Sequence, residues 1–368
     1  MGLTAGIVGL PNVGKSTLFN AITNSQVEAA NYPFATIQPN VGTVEVFDSR
    51  LLVLTELFKS EKTVFATFEF TDIAGLVKGA SKGEGRGNQF LTNIREVDAI
   101  CHVVRCFDNA EVIHVEESVD PVRDAEIINL ELIMADLETV EKRILRVEKK
   151  ALSTKEKTAV SEYEALKLIK AALEEGKPAR SVSLDASQEL IVKSFNLLTN
   201  KPTIFIANVG EEDIASPEAN KYYQKLKEFA EQEHSEIVPI CAKIEEEISS
   251  LESKEDREMF LESYGITESG LERVTKAAFK LLGLETYFTA GPKESKAWTF
   301  KTGMKAPQCA GIIHSDFERG FIKAEIYSYD DLMKYETEQG VKENGRFRIE
   351  GKEYVVKDGD IVHFRFNV

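Results

Sequence analysis

The stretch Gly9-Leu-Pro-Asn-Val-Gly-Lys-Ser16-Thr17 decides how the chain is read. It has the form G-x-x-x-x-G-K-S. An apolar run, Leu3 to Val8, precedes it and predicts a buried parallel strand. Thr17 to Thr23 follows and predicts the first turns of a helix. A phosphate-binding loop requires that strand–loop–helix setting. Gly9 and Gly14 let the backbone curl so that successive N–H groups point at phosphate oxygens. The helix that follows presents its positive end to the same anion. Lys15 is expected to reach the β- and γ-phosphates, and the Ser16 hydroxyl to ligate Mg²⁺.

Size and composition narrow the class. The chain has 368 residues, 43% hydrophobic and 29% charged, which predicts a soluble globular protein of two or three domains. No apolar run reaches the length of a membrane span. Entry into a strand almost at the first residue argues against a signal peptide. Cys101, Cys106, Cys241 and Cys309 form no C-x-x-C pair and read as reduced core residues, so a cytoplasmic location is expected. The net charge of −16 is uneven. Residues 1–130 carry 10 Lys/Arg against 17 Asp/Glu and residues 201–282 carry 10 against 18, whereas 131–200 balance at 12 each and 283–368 carry 13 against 14. General contact with nucleic acid is therefore disfavoured in the first and third segments only.

Downstream of the loop lie the parts of a nucleotide switch. Asn31-Tyr-Pro-Phe-Ala-Thr36-Ile-Gln-Pro-Asn40 reads as an exposed loop, with Thr36 placed to supply a second Mg²⁺ ligand. Val64 to Thr71 alternates and predicts a strand, leading into Asp72-Ile-Ala-Gly75. A strand ending in D-x-x-G predicts that Asp72 holds Mg²⁺ through water and that the Gly75 N–H touches the γ-phosphate. The glycine-rich Gly79 to Asn88 is expected to order on that phosphate. Leu76 stands where GTPases of the Ras type carry a water-orienting Gln. Hydrolysis is then slow or depends on another group, for which His114 is the candidate; the alternative is a plain surface-loop histidine.

Strands are expected at Asp98–Val104 and Pro202–Val209, a further strand with a small-residue loop passing close to the base at Ile237–Lys243, and a closing helix over Ser269–Leu282. Between them Ile133, Leu137, Val140, Ile144 and Val147 are spaced as a heptad seam, and a second helix covers Val160–Leu173. Residues 131–200 are thus read as a helical insertion with a coiled-coil hairpin. Its tip, 142–157, holds seven Lys/Arg against two Glu. Such a tip is a solvated face or a probe for RNA or ribosome. From residue 283 to 368 short strands (Trp298–Thr302, Phe321–Tyr327, Glu353–Val356, Ile361–Phe366) and turns at Asn344-Gly345 and Asp358-Gly359 describe a small α+β module.

The base-reading position also departs from the GTPase pattern. In place of N-K-x-D the chain has Asn208-Val-Gly-Glu211. The guanine-matched Asp is a longer Glu and the Lys is lost, so discrimination against adenine falls and ATP is expected over GTP.

Taken together, GLPNVGKST, NYPFATIQPN, DIAGLVKGAS-x-GEG-x-GN and N-x-x-E at 208–211 resemble the YchF / Obg-like ATPase family across essentially the whole chain, and the C-terminal module looks like a TGS domain. The resemblance implies an α/β P-loop NTPase domain of Ras-like, Obg type (1–130 and 201–282), a coiled-coil insertion (131–200) and a β-grasp TGS domain (283–368). It implies that Asn12, Val13, Gly14, Lys15, Ser16 and Thr17 wrap the phosphates, that Ser16 and Thr36 hold Mg²⁺ and that Val209 contacts the base. It implies association with ribosomes and a part in translation control or the stress response, and it places Asn12 where potassium-activated relatives coordinate K⁺. The expected function is a slow ATPase switch. A true GTPase, or an RNA- or ribosome-binding regulator with nucleotide as a structural ligand, are the alternatives. A metabolic kinase has no signature of a second substrate site or a lid.

Overall fold

The computed structural model describes residues 3–24, 40–73, 86–109, 114–251 and 253–367. Thr36, Gly75, Leu76 and most of the Gly79–Asn88 segment lie outside them. The chain divides into two compact units, 1–26, 37–43 and 69–278 against 27–36, 44–68 and 279–368.

The first unit is built on a six-stranded sheet. Its strands are β1 (Thr4–Val8), β2 (Val41–Val46), β4 (Ala66–Asp72), β5 (Ala99–Arg105), β6 (Thr203–Asn208) and β7 (Glu236–Ile240). Their order is β2-β4-β1-β5-β6-β7. The pairs β1–β4, β1–β5, β5–β6 and β6–β7 are all parallel. Strands β5 and β6 are buried at every position, which is why they read as unbroken apolar runs rather than alternating ones. Strand β1 lies between β4 and β5, with the earlier strands on one side of it and the later ones on the other. That reversal of order opens a crevice at the carboxyl ends of the strands, where open α/β sheets bind ligands.

Helices α1 (Lys15–Asn24), α3 (Arg86–Glu96), α7 (Lys221–Gln232), α8 (Ala242–Ser249) and α10 (Gly270–Leu281) belong to this unit, as does α9 (Lys254–Ser263). The insertion is carried by α4 (Pro121–Lys149) and α5 (Lys157–Glu174), with α6 (Ala186–Lys193) beside them. The turn between α4 and α5 is a π-helical stretch, Lys150–Thr154, closed by Lys155 at φ +50°. The heptad seam packs as expected. Ile133, Val140 and Val147 are buried with Leu166, Ile169 and Leu173, while Leu137, Ile144 and Tyr163 border them. Helix α4 begins well before residue 131. Asp120 caps it through the Arg123 N–H at 3.3 Å, and Pro121 starts it where a missing N–H costs nothing. The buried Asp136 carboxylate fastens α4 at its root. It accepts the Leu198 and Thr199 N–H groups at 2.9 and 2.7 Å and the Thr199 hydroxyl at 2.7 Å.

The second unit carries the strand order β11-β10-β12-β8-β9-β3. Its strands are β3 (Thr63–Val64), β8 (Leu284–Ala290), β9 (Ser295–Lys301), β10 (Phe321–Ser328), β11 (Arg348–Glu350) and β12 (Asp360–Phe366). Helix α11 (Ala306–Ile313) covers one face over Tyr287, Phe300, Ala324 and Phe364. The expected strand at Glu353–Val356 is reduced to a single bridge between Val355 and Lys305.

Residues 44–68, expected in the nucleotide domain, fall in this second unit. The Val64–Thr71 run is cut at Phe65. Its first part, β3, adds to the β9 edge with Thr63 opposite Ser295 and Val64 opposite Lys296. Helix α2 (Ser49–Phe58) is held by Arg50, whose guanidinium grips Asp358 at 2.7 and 3.3 Å and lies 5.2 Å from the Phe288 ring centre. The Ser60 hydroxyl lies 2.8 Å from that of Ser295. None of these partners is near in sequence, so local reading could not find them.

Candidate nucleotide site

A cleft of about 760 Å³ opens at the carboxyl ends of β1, β5, β6 and β7. The loop after β1 contributes Leu10 to Thr17, that after β5 Phe107 to Asn109, that after β6 Val209 to Glu212, and that after β7 Cys241 to Lys243. Two glycines in the first loop have no substitute. Gly14 sits at φ +95°, and a Cβ there would fall on the Asn208 amide. A Cβ on Gly9 would come within 2.7 Å of the Val103 carbonyl. The Leu18 N–H donates to Gly14 O at 3.0 Å and begins α1, leaving the earlier N–H groups of that turn for a ligand.

Lys15 and Asp72 are brought together from 57 residues apart. The Lys15 ammonium lies 2.6 Å from Asp72 Oδ1. The carboxylate thus stands beside the loop after β1, and Ser16 lines the cleft. Oxygen donors of this kind suit a hard cation such as Mg²⁺.

Asn208 has a structural task in the cleft wall. Its Nδ2 donates to Val13 O at 2.9 Å, and its Oδ1 accepts the Ala242 N–H at 2.9 Å. One buried amide therefore joins the phosphate loop, the end of β6 and the start of α8. Val209 is 1% exposed and packs with Val104, Cys106 and Ile244 beneath the cleft. Glu211 is paired with Lys243 at 2.5 Å and approached by the Tyr264 hydroxyl at 3.4 Å.

His114 is not an open loop residue. It is 7% exposed; its Nε2 lies 2.8 Å from Asp124 Oδ2, and its Nδ1 lies 3.1 Å from the Glu116 nitrogen. A backbone N–H only donates, so Nδ1 is the acceptor and Nε2 carries the proton given to Asp124. Arg123 holds the other Asp124 oxygen at 2.9 Å. Burial pushes the Asp124 carboxyl up, against the pull of Arg123 and His114. In this conformation both ring nitrogens are in use.

Sequence reading missed Arg105. It ends β5 at 1% exposed, donates from Nε to Phe107 O and from Nη2 to Asn109 O, both at 3.1 Å, and so shapes the β5 wall of the cleft. A charged residue closing a strand that is apolar but for His102 was the available signal.

The crevice, the phosphate loop and the D-x-x-G strand define a P-loop nucleotide hydrolase of the GTPase fold. The profile of the 50S ribosome-binding GTPase family matches residues 4–161, and that of the YchF-GTPase C-terminal domain, described as a protein of unknown function, matches 284–367. The chain is 61% identical over its full length to the ribosome-binding ATPase YchF of Bacillus subtilis, and 52% identical to that of Escherichia coli O157:H7, covering all of both proteins. The solved structure of the Schizosaccharomyces pombe YchF GTPase superposes with a TM-score of 0.89 at 40% identity, over 99% of this chain and 97% of that one. The chain belongs to the YchF family.

Proposed function

We propose that this protein is a ribosome-associated switch that binds ATP in the β1–β7 cleft and hydrolyses it slowly. The observation that carries the reading is the cleft itself. The loop that carries Lys15, itself paired with Asp72, shares one cavity with Glu211 and its partner Lys243. The B. subtilis and E. coli relatives are described as ribosome-binding ATPases, which agrees with it.

In this reading Asn12 to Thr17 wrap the triphosphate, and Ser16, Thr36 and Asp72 hold Mg²⁺, which neutralises charge on the phosphates when bound. Lys15 leaves Asp72 for the β- and γ-phosphates, and the Gly75 N–H meets the γ-phosphate. His114 serves in the hydrolytic step after giving up Asp124. Asn12 is the site for K⁺ stimulation, a reading that equal rates in Na⁺ and K⁺ buffers would remove. The coiled-coil tip and the TGS-like module contact ribosomal RNA or protein, within a cytoplasmic setting. The domain division follows from these roles: nucleotide domain, insertion, and C-terminal module.

The test is ribosome pelleting with ATP, a non-hydrolysable analogue and ADP, alongside equilibrium binding of ATP and GTP. Tighter ATP than GTP and nucleotide-dependent pelleting are expected. Identical pelleting in all three states would leave nucleotide as a structural ligand, and tighter GTP would make the protein a GTPase.

A further inference from the structure

The purine end of the cleft contains the groups that a guanine clamp would use, and the protein satisfies them itself. Guanine presents the O6 acceptor beside the N1–H and N2–H₂ donors; adenine presents the N6–H₂ donor beside the N1 acceptor. A guanine site therefore supplies an N–H for O6 and a carboxylate for the two donors. Here the Ala242 N–H already donates to Asn208 Oδ1 at 2.9 Å. The Glu211 carboxylate is engaged on both oxygens, by Lys243 Nζ on Oε1 at 2.5 Å and by the Tyr264 hydroxyl on Oε2 at 3.4 Å.

We propose that Lys243 is a specificity-determining residue of this site: paired with Glu211, it withholds the carboxylate at the base-reading position from the guanine N1–H and N2–H₂. The inference rests on the reading that the cleft binds a nucleoside triphosphate. Chain geometry makes it possible. Lys243 lies in the first turn of α8, directly after the Cys241–Ala242 step out of β7, and Glu211 lies three residues beyond the end of β6. The β6–β7 pairing, with Asn208 opposite Ile240, brings the two loops side by side. Both side chains line the cleft. The contact with Glu211 raises the Lys243 ammonium above the ordinary lysine range.

The pair is solvent-exposed, with Lys243 65% and Glu211 36% exposed. Exposed pairs are weak and screened by salt. The discrimination they maintain is therefore releasable, by substitution or by ionic strength. With Lys243 in place guanine must displace it, so freeing the carboxylate gains GTP what the exposed pair is worth, up to about fivefold.

The experiment is competition binding of unlabelled ATP and GTP to wild type, Lys243→Met, Lys243→Arg, Glu211→Gln and the double variant Lys243→Met/Glu211→Gln. Lys243→Met is expected to tighten GTP about three- to fivefold while ATP changes less than about twofold. Lys243→Arg keeps the pair and is expected to match wild type. Glu211→Gln is expected to cancel the gain in the double variant, because the freed acceptor is then no longer a carboxylate. Raising salt from about 0.05 M to about 0.5 M should lower the wild-type ATP-to-GTP ratio and leave that of Lys243→Met flat; phosphate attraction cancels in the ratio. Equal loss of both nucleotides in Lys243→Met would mean that Lys243 merely covers the base. A GTP gain that survives Glu211→Gln would mean that another acceptor reads guanine. Either result overturns the inference. A Lys15→Ala variant separates the larger failure: if both affinities are untouched by it, the nucleotide does not sit in this cleft and the functional reading falls instead.

Discussion

Asn208 and His114 show how a residue's neighbours define its task. Both amide atoms of Asn208 are committed to backbone, one to Val13 and one to Ala242. Asn208→Ala leaves a buried carbonyl and a buried N–H without partners, a loss of about 2–4 kcal/mol. The expected result is a melting temperature several degrees lower together with weaker nucleotide binding, read by calorimetry with and without ATP; unchanged affinity would show that the loop keeps its shape alone. His114 was legible as a candidate only because Leu76 removes the usual water-orienting side chain. Its resting partners were not legible, because Asp124 and the Glu116 N–H meet it only once the turn before α4 forms. His114→Ala is expected to slow turnover about 10²-fold or more while ATP affinity stays within about twofold. Turnover at the wild-type rate would leave His114 a structural residue.

Among the elements, β5 carries a consequence for pH. His102 is 2% exposed inside this strand, its ring 5.4 Å from that of Phe205. Burial, aided by the Arg180 charge, pulls it down to about 3. The folded protein thus keeps the ring neutral where the unfolded chain would protonate it. Its contribution is fully present above the ordinary histidine value near 6.5 and is lost as pH falls from there toward 3. Between those limits the unfolded state binds about one proton more, a slope of about 1.4 kcal/mol per pH unit. His102→Phe is expected to flatten the fall in melting temperature between about pH 6.5 and 4.5. An unaltered slope would place the acid sensitivity in other groups. Period and composition made the parallel strands and the α4–α5 seam readable, since continuous apolar runs and 3.5-residue spacing are local signals. The split of the Val64–Thr71 run was not readable, because Thr63 and Val64 are chosen by the β9 edge and the residues from Ala66 by the first sheet.

For the molecule as a whole, charge is distributed by structure as well as by sequence. The α4–α5 hairpin places Lys142, Arg143, Arg146 and Lys150 along one groove of about 490 Å³ within an acidic protein. Reversing Lys149 and Lys150 to Glu is expected to weaken ribosome association and flatten its salt dependence, measured by pelleting across a salt series. Unchanged association would leave the tip a solvated face. By itself the sequence determined the nucleotide loop, the D-x-x-G strand, the altered base-reading position and the heptad seam, because each is a short pattern whose chemistry is complete within a few residues. Only the tertiary structure decided that residues 44–68 belong with the C-terminal unit, that Asn208 is a joint between loops, that His114 rests on Asp124 and that Glu211 is held by Lys243. Each of those depends on groups distant in the chain or on the turn that aims a side chain, and local propensity carries no information about either.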